Sequence, residues 1–174
     1  KNVDEKVTAI ESLEKLWNFS RWSSFDQFAE IVKIDLNIDP QPVCSAKFSL
    51  IRSICRKSDQ AEEMLPMLSS MLKLDCPYIA EAITSVTELC LAQILEVLPV
   101  VQMISPLISH TDRDDIISPY IELLAASSSL PIEEPDYRPE CVQRLWPLTG
   151  KENSLRIQSA AWRALGTFPF EIIK

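Results

Sequence analysis

Histidine, the side chain best suited to move protons near neutral pH, occurs once in the 174 residues, in the run Ser109-His110-Thr111-Asp112. A catalytic triad needs groups that converge from separated elements, so Ser109 and Asp112, its neighbours along the chain, do not form one. His110 closes an apolar helical run, where the backbone dipole favours basic side chains. The five cysteines, Cys44, Cys55, Cys76, Cys90 and Cys141, are odd in number and include no Cys-x-x-Cys pair. Zinc sites and disulfide frameworks need paired spacing, so these residues read as small buried hydrophobes in a reducing compartment. Glycine-rich nucleotide loops, Walker sequences and His-Glu-x-x-His are all missing. The expectation is a chain without catalytic residues, metal or cofactor.

Binding chemistry has more to work with. Lys47, Arg52, Arg56 and Lys57 early, and Arg156 and Arg163 late, fall on segments read below as the second helices of helix pairs. Stacked helices share one surface, so Lys47, Arg52, Arg56, Arg156 and Arg163 are candidates for a concave strip that receives an acidic partner. From Ser127 to Glu140 runs a segment without periodicity, rich in serine, proline and acid. It reads as a loop over 127–137, longer than the 2–8 residues usual between packed helices. Ser127, Ser128, Ser129, Glu133, Glu134, Asp136 and Tyr137 are candidates there for docking a basic partner or for phosphorylation. Trp17, Trp22, Trp146 and Trp162 could anchor a peptide, but each lies on or beside an apolar stripe and is expected in the core.

Composition narrows the classes. A net charge of −8 and an isoelectric point near 4.7 oppose direct nucleic-acid binding. No apolar run reaches the roughly 18 residues of a membrane span. Only two glycines argue against a turn-rich sheet fold, so helix is expected. The chain begins at Lys1 and closes just after Phe168-Pro169-Phe170, which reads as the start of another element. That suggests a single segment, residues 1–174, of a longer cytoplasmic protein.

The elements that must position these residues are helical hairpins. Met64 to Leu89 gives an apolar helix, an Asp75-Cys76-Pro77 break, and a second helix with Ile79, Ala82, Ile83 and Val86 at helical spacing. Residues 145–168 repeat the layout, with Ile157, Ala160, Ala161 and Ala164 in the matching places. One hairpin cannot bury both its stripes, so neighbours of the same kind are required. Second helices are expected over 3–19, 43–57, 77–91, 114–126 and 153–167, within pairs at about 22–57, 60–91, 94–126 and 138–167. The first helix before 43–57 is expected from a Ser23 or Ser24 cap, with Gln27 completing a capping box, Phe25, Phe28, Ile31 and Val32 inward, and Trp22 at the corner. Thr111 to Asp114 is expected to cap the helix that follows. Pro66 and Pro99, 33 residues apart, should kink their helices or sit in a first turn. Pro106 should break its helix and Pro119 bend the next.

Met64-Leu65-Pro66, Val97-Leu98-Pro99, Asp75 and Ala164-Leu165-Gly166 resemble the marks of HEAT repeats. That resemblance implies an all-α, right-handed α-solenoid of HEAT-like (armadillo-type) antiparallel helix pairs. Ala80 and Gln158 stand where the family often carries an arginine, so its aspartate–arginine ladder is not expected. The run from Tyr137 to Glu171, with Arg-Pro-Glu-Cys, Leu-Trp-Pro and Trp-Arg-Ala-Leu, resembles more narrowly the repeat region of the focadhesin family of very large helical-repeat proteins. The likeness implies a non-enzymatic protein-interaction scaffold in the cytoplasm, at focal adhesions or, through plant relatives, with the superkiller complex that feeds the RNA exosome. A transport or trafficking adaptor and a scaffold of an RNA-decay assembly are the alternatives.

Overall fold

The computed structural model describes residues 2–19, 30–35, 38–57, 59–131 and 136–173. Among them there is helix and turn and no strand. The α-helices are α1 (Val3–Phe19), α2 (Gln41–Cys55), α3 (Leu65–Met71), α4 (Ile79–Leu91), α5 (Val97–Ile108), α6 (Asp114–Ala126), α7 (Arg138–Leu145), α8 (Leu155–Leu165) and the short α9 (Phe170–Ile173). Turns of 3₁₀ helix cover Asp59–Met64, Ser127–Ser129 and Trp146–Thr149. Residues 30–32 are helical, and Val32 is buried. Trp22, Ser23, Ser24, Phe25, Gln27 and Phe28 lie outside the described residues.

The apolar periodicity explains the packing. Ile79, Ala82, Ile83 and Val86 are fully buried on α4, and Ile157, Ala161 and Ala164 form the equivalent stripe on α8. α3 folds back on α4, α5 on α6, and α7 packs on both α6 and α8. The second members line up in turn: α1 on α2, α2 on α4, α4 on α6, α6 on α8. Interior helices such as α4 and α6 are consequently buried along two flanks, whereas α8 buries Ile157, Ala161, Ala164 and Leu165 and leaves another flank open.

Side-chain bonds tie these junctions together. Glu14 of α1 accepts from the hydroxyls of Ser49 (3.0 Å) and Ser53 (2.8 Å), and Trp17 Nε1 donates to the Ser53 carbonyl at 3.0 Å. Arg56, which caps α2, pairs with Glu88 of α4. Ser154 accepts from the Ile157 amide as the N-cap of α8 and donates to Asp114 of α6 at 2.6 Å.

The prolines settle in two ways. Pro42, Pro66, Pro99 and Pro139 occupy first turns, where no intrahelical donor is lost. Pro106 and Pro119 lie inside α5 and α6. The expected break at Pro106 does not occur, because Val100, Val101 and Ile104 anchor the preceding turns in the core. Nor do side chains from Thr111 to Asp114 cap α6: its N-cap is Arg113, without a side-chain cap bond. α4 ends through Gln93, which adopts φ 59°, and the Ile94 amide returns to the Leu89 carbonyl at 3.0 Å.

Candidate interaction surface

The basic residues do not form one strip. Lys47 is turned into the corner before α2, with Nζ 2.6 Å from both Asp39 Oδ2 and the Lys33 carbonyl and a side chain only 12 % exposed. Burial alone would raise the Asp39 carboxyl, but the Lys47 hydrogen bond and charge, with the backbone of Asp35, hold it below its ordinary value. Arg56 is committed to Glu88, whose hydrogen bond raises the guanidinium further above its ordinary value. Arg52 is half-buried and has no ion pair among the described residues.

Arg156 and Arg163 lie two helices away from these, across α4 and α6. Acids interrupt the path: Glu88 of α4 faces Arg56, and Glu122 of α6 shares a groove with Arg156 and Arg163. That groove, between α6 and α8, has a volume of about 350 Å³. Its floor is Ile121, Ala125, Ala160 and Ala164, and Ser118 and Thr167 complete it. Arg156 and Arg163 are exposed, and α8 carries no acidic residue. On α6, Asp114 receives Ser154, and Asp115 forms a two-bond pair with Arg113 that depresses the carboxyl below its ordinary value. Sequence spacing alone paired Arg156 with Arg163. It missed Ser118 and Glu122, because nothing in the chain marks which face of α6 meets α8.

The serine run is ordered. Ser127, Ser128 and Ser129 form a 3₁₀ turn continuing α6, and their hydroxyls donate to the carbonyls of Leu124, Ala125 and Ala126 at 2.7, 2.8 and 2.9 Å. Ser127 is fully buried, Tyr137 is buried, and Ser129 is exposed. A kinase therefore has no access to Ser127 in the folded chain. Asp136 accepts two bonds from the Arg138 guanidinium and one from its amide, which lowers its pKa. Glu133 and Glu134 lie outside the described residues.

Two of the tryptophans expected in the core are on the surface instead. Trp17 is buried, but Trp146 and Trp162 are 40 % and 55 % exposed and meet edge to face at 5.7 Å. Trp162 lies one heptad from the exposed Leu155 on the outer flank of α8, where it packs on the 3₁₀ turn Trp146–Thr149. Its apolar neighbours in sequence gave no sign of this, because a helix inside a stack and a helix at its end carry the same stripes.

The remaining chemistry-bearing residues stay apart. His110 is exposed just beyond α5, and Ser109 donates to the Ser105 carbonyl rather than to the imidazole. All five cysteines are buried and free, and burial pushes the Cys55 and Cys90 thiols up to about 12. Among the described residues no three His, Cys, Asp or Glu side chains are grouped to hold a metal ion, and no helix is long and apolar enough to cross a membrane.

The family model described as Focadhesin/RST1, DUF3730, covers residues 4–165. No curated protein and no solved structure matches the chain.

Proposed function

The chain belongs to the Focadhesin/RST1 family, and from that premise we propose that it is a non-enzymatic scaffold segment that binds other proteins along its row of second helices. The observation that carries this reading is the repeated side-by-side packing of α1, α2, α4, α6 and α8. We read the row as a right-handed α-solenoid of HEAT-like pairs, residues 1–174 forming one segment of a longer cytoplasmic protein. Such a stack gives an extended surface without needing an active site. The exposed, isolated His110 and the buried thiols support a binding role over catalysis. Proteins of focal adhesions or of the superkiller complex are the partners this reading favours, with nucleic acid contacted only through them.

Affinity capture with the full chain, half of each sample treated with RNase, tests the proposal when followed by hydroxyl-radical footprinting of the recovered complexes. Protein partners should survive RNase, and protection should fall on α2, α4, α6 and α8. Loss of every partner with RNase, or protection confined to α3, α5 and α7, would overturn it.

A further inference from the structure

We propose that the groove between α6 and α8 docks an acidic peptide segment, whose carboxylates are received by the guanidinium groups of Arg156 and Arg163. The inference rests on the scaffold reading and narrows it to one surface.

Arg156 and Arg163 are seven residues apart on α8. Two helical turns place their backbones about 10 Å apart along one edge of the groove. Neither arginine is held in an ion pair among the described residues; Arg163 Nε makes a single long bond, 3.3 Å, to the Ser159 carbonyl of its own helix. Both are free to form the bidentate bonds that guanidinium makes with carboxylate.

The floor fits a peptide. Ala160 and Ala164 are small enough for a backbone to approach, and Ile121 gives it an apolar contact. The Ser118 hydroxyl, in the groove wall, is buried without a hydrogen-bond partner among the described residues.

Charge selects the occupant. Across the chain the net charge is −8, so acidic ligands are repelled over most of the surface. In the groove two arginines face Glu122, and the Asp115 carboxylate, already paired with Arg113, lies within electrostatic reach of Arg156. Two cations can match two carboxylates. Two cations offer few of the phosphate contacts from which nucleic-acid affinity is built.

The test titrates the full chain, by fluorescence anisotropy at low salt, with a short labelled peptide of alternating glutamate and alanine and with its glutamine counterpart. The glutamate peptide should bind and the glutamine peptide should be at least ~10-fold weaker, because the recognition is of charge. Arg156→Glu with Arg163→Glu should weaken the glutamate peptide by at least ~10-fold. Ala160→Phe, which fills the floor and leaves the charge unchanged, should weaken it by a similar factor, while Arg52→Glu should leave it unaltered. Circular dichroism of each variant should match the parent chain, and if Ala160→Phe alone fails to fold, the arginine reversal decides. Equal binding of the two peptides, no binding, full retention by the arginine reversal, or full retention by a folded Ala160→Phe would each overturn the groove assignment. So would displacement of the peptide by an equimolar oligouridine. Loss at Arg52→Glu with retention at Arg156→Glu/Arg163→Glu would overturn the groove and leave the scaffold reading standing.

Discussion

Arg56, at the end of α2, and Glu88, within α4, form an ion pair that joins consecutive second helices. The arginine side chain is 58 % exposed and the glutamate 13 %. The same kind of junction is closed by Ser49 and Ser53 on Glu14 between α1 and α2, and by Ser154 on Asp114 between α6 and α8. The stack thus uses different polar partners at these three junctions, and removing any one should loosen its own junction first.

For Arg56 the effect should be small. Exposure and screening limit such pairs, so Arg56→Ala should cost at most about 1 kcal/mol, and the coupling to Glu88 in a double-mutant cycle should be about 0.5 kcal/mol. Urea denaturation at low and high salt checks this, with the coupling expected to shrink as salt rises.

Asp39 and Lys47 should matter more. Their side chains are 9 % and 12 % exposed, and loss of the lysine leaves a shielded carboxylate facing the corner. Lys47→Met should cost about 2 kcal/mol, between the values for exposed and buried pairs. Because the Asp39 pKa is lowered on folding, its contribution is present above its unfolded value of 3.8 and is lost as pH falls through the folded value. Thermal melts between neutral and acid pH should therefore show a smaller acid-induced loss in Asp39→Asn than in the parent chain.

The buried thiols predict an alkaline limit. Cys55 and Cys90 rise from 9.0 to about 12, burial being the chief cause and the Glu88 charge adding to it at Cys55. Folding favours the protonated thiols. Their contribution is therefore complete below pH 9 and is lost as pH climbs from there through about 12. At neutral pH a thiol reagent should label the native chain slowly at all five cysteines and rapidly once denaturant is added. Rapid labelling of Cys55 or Cys90 in the native chain would contradict their burial.

Gln93 holds a left-handed conformation at φ 59° with its side chain exposed. Gln93→Gly should stabilise the chain by about 0.5–1 kcal/mol, and Gln93→Val should destabilise it by about 1 kcal/mol. Equilibrium denaturation reads both.

Local pattern determined much of the fold. The stripe Ile79, Ala82, Ile83 and Val86 and its counterpart Ile157, Ala160, Ala161 and Ala164 were legible because helical periodicity is a property of a single segment. The same holds for the buried cysteines and the first-turn prolines. Helix boundaries followed to within about two residues for α4, α6 and α8, as far as such boundaries are definable.

Tertiary structure alone decided which polar groups remain available. Lys47 looked as free as Arg156 in the sequence until the turn at Asp39 brought a carboxylate to 2.6 Å. Ser127 looked as accessible as Ser129 until α6 continued into a 3₁₀ turn and buried it. Trp162 carries the marks of a core residue, yet it packs on Trp146 at the surface and stays more than half exposed. Periodicity fixes which face of a helix is apolar. Whether a charged or aromatic side chain on that helix meets a partner or solvent depends on residues distant in sequence, whose positions are set only when the helices pack.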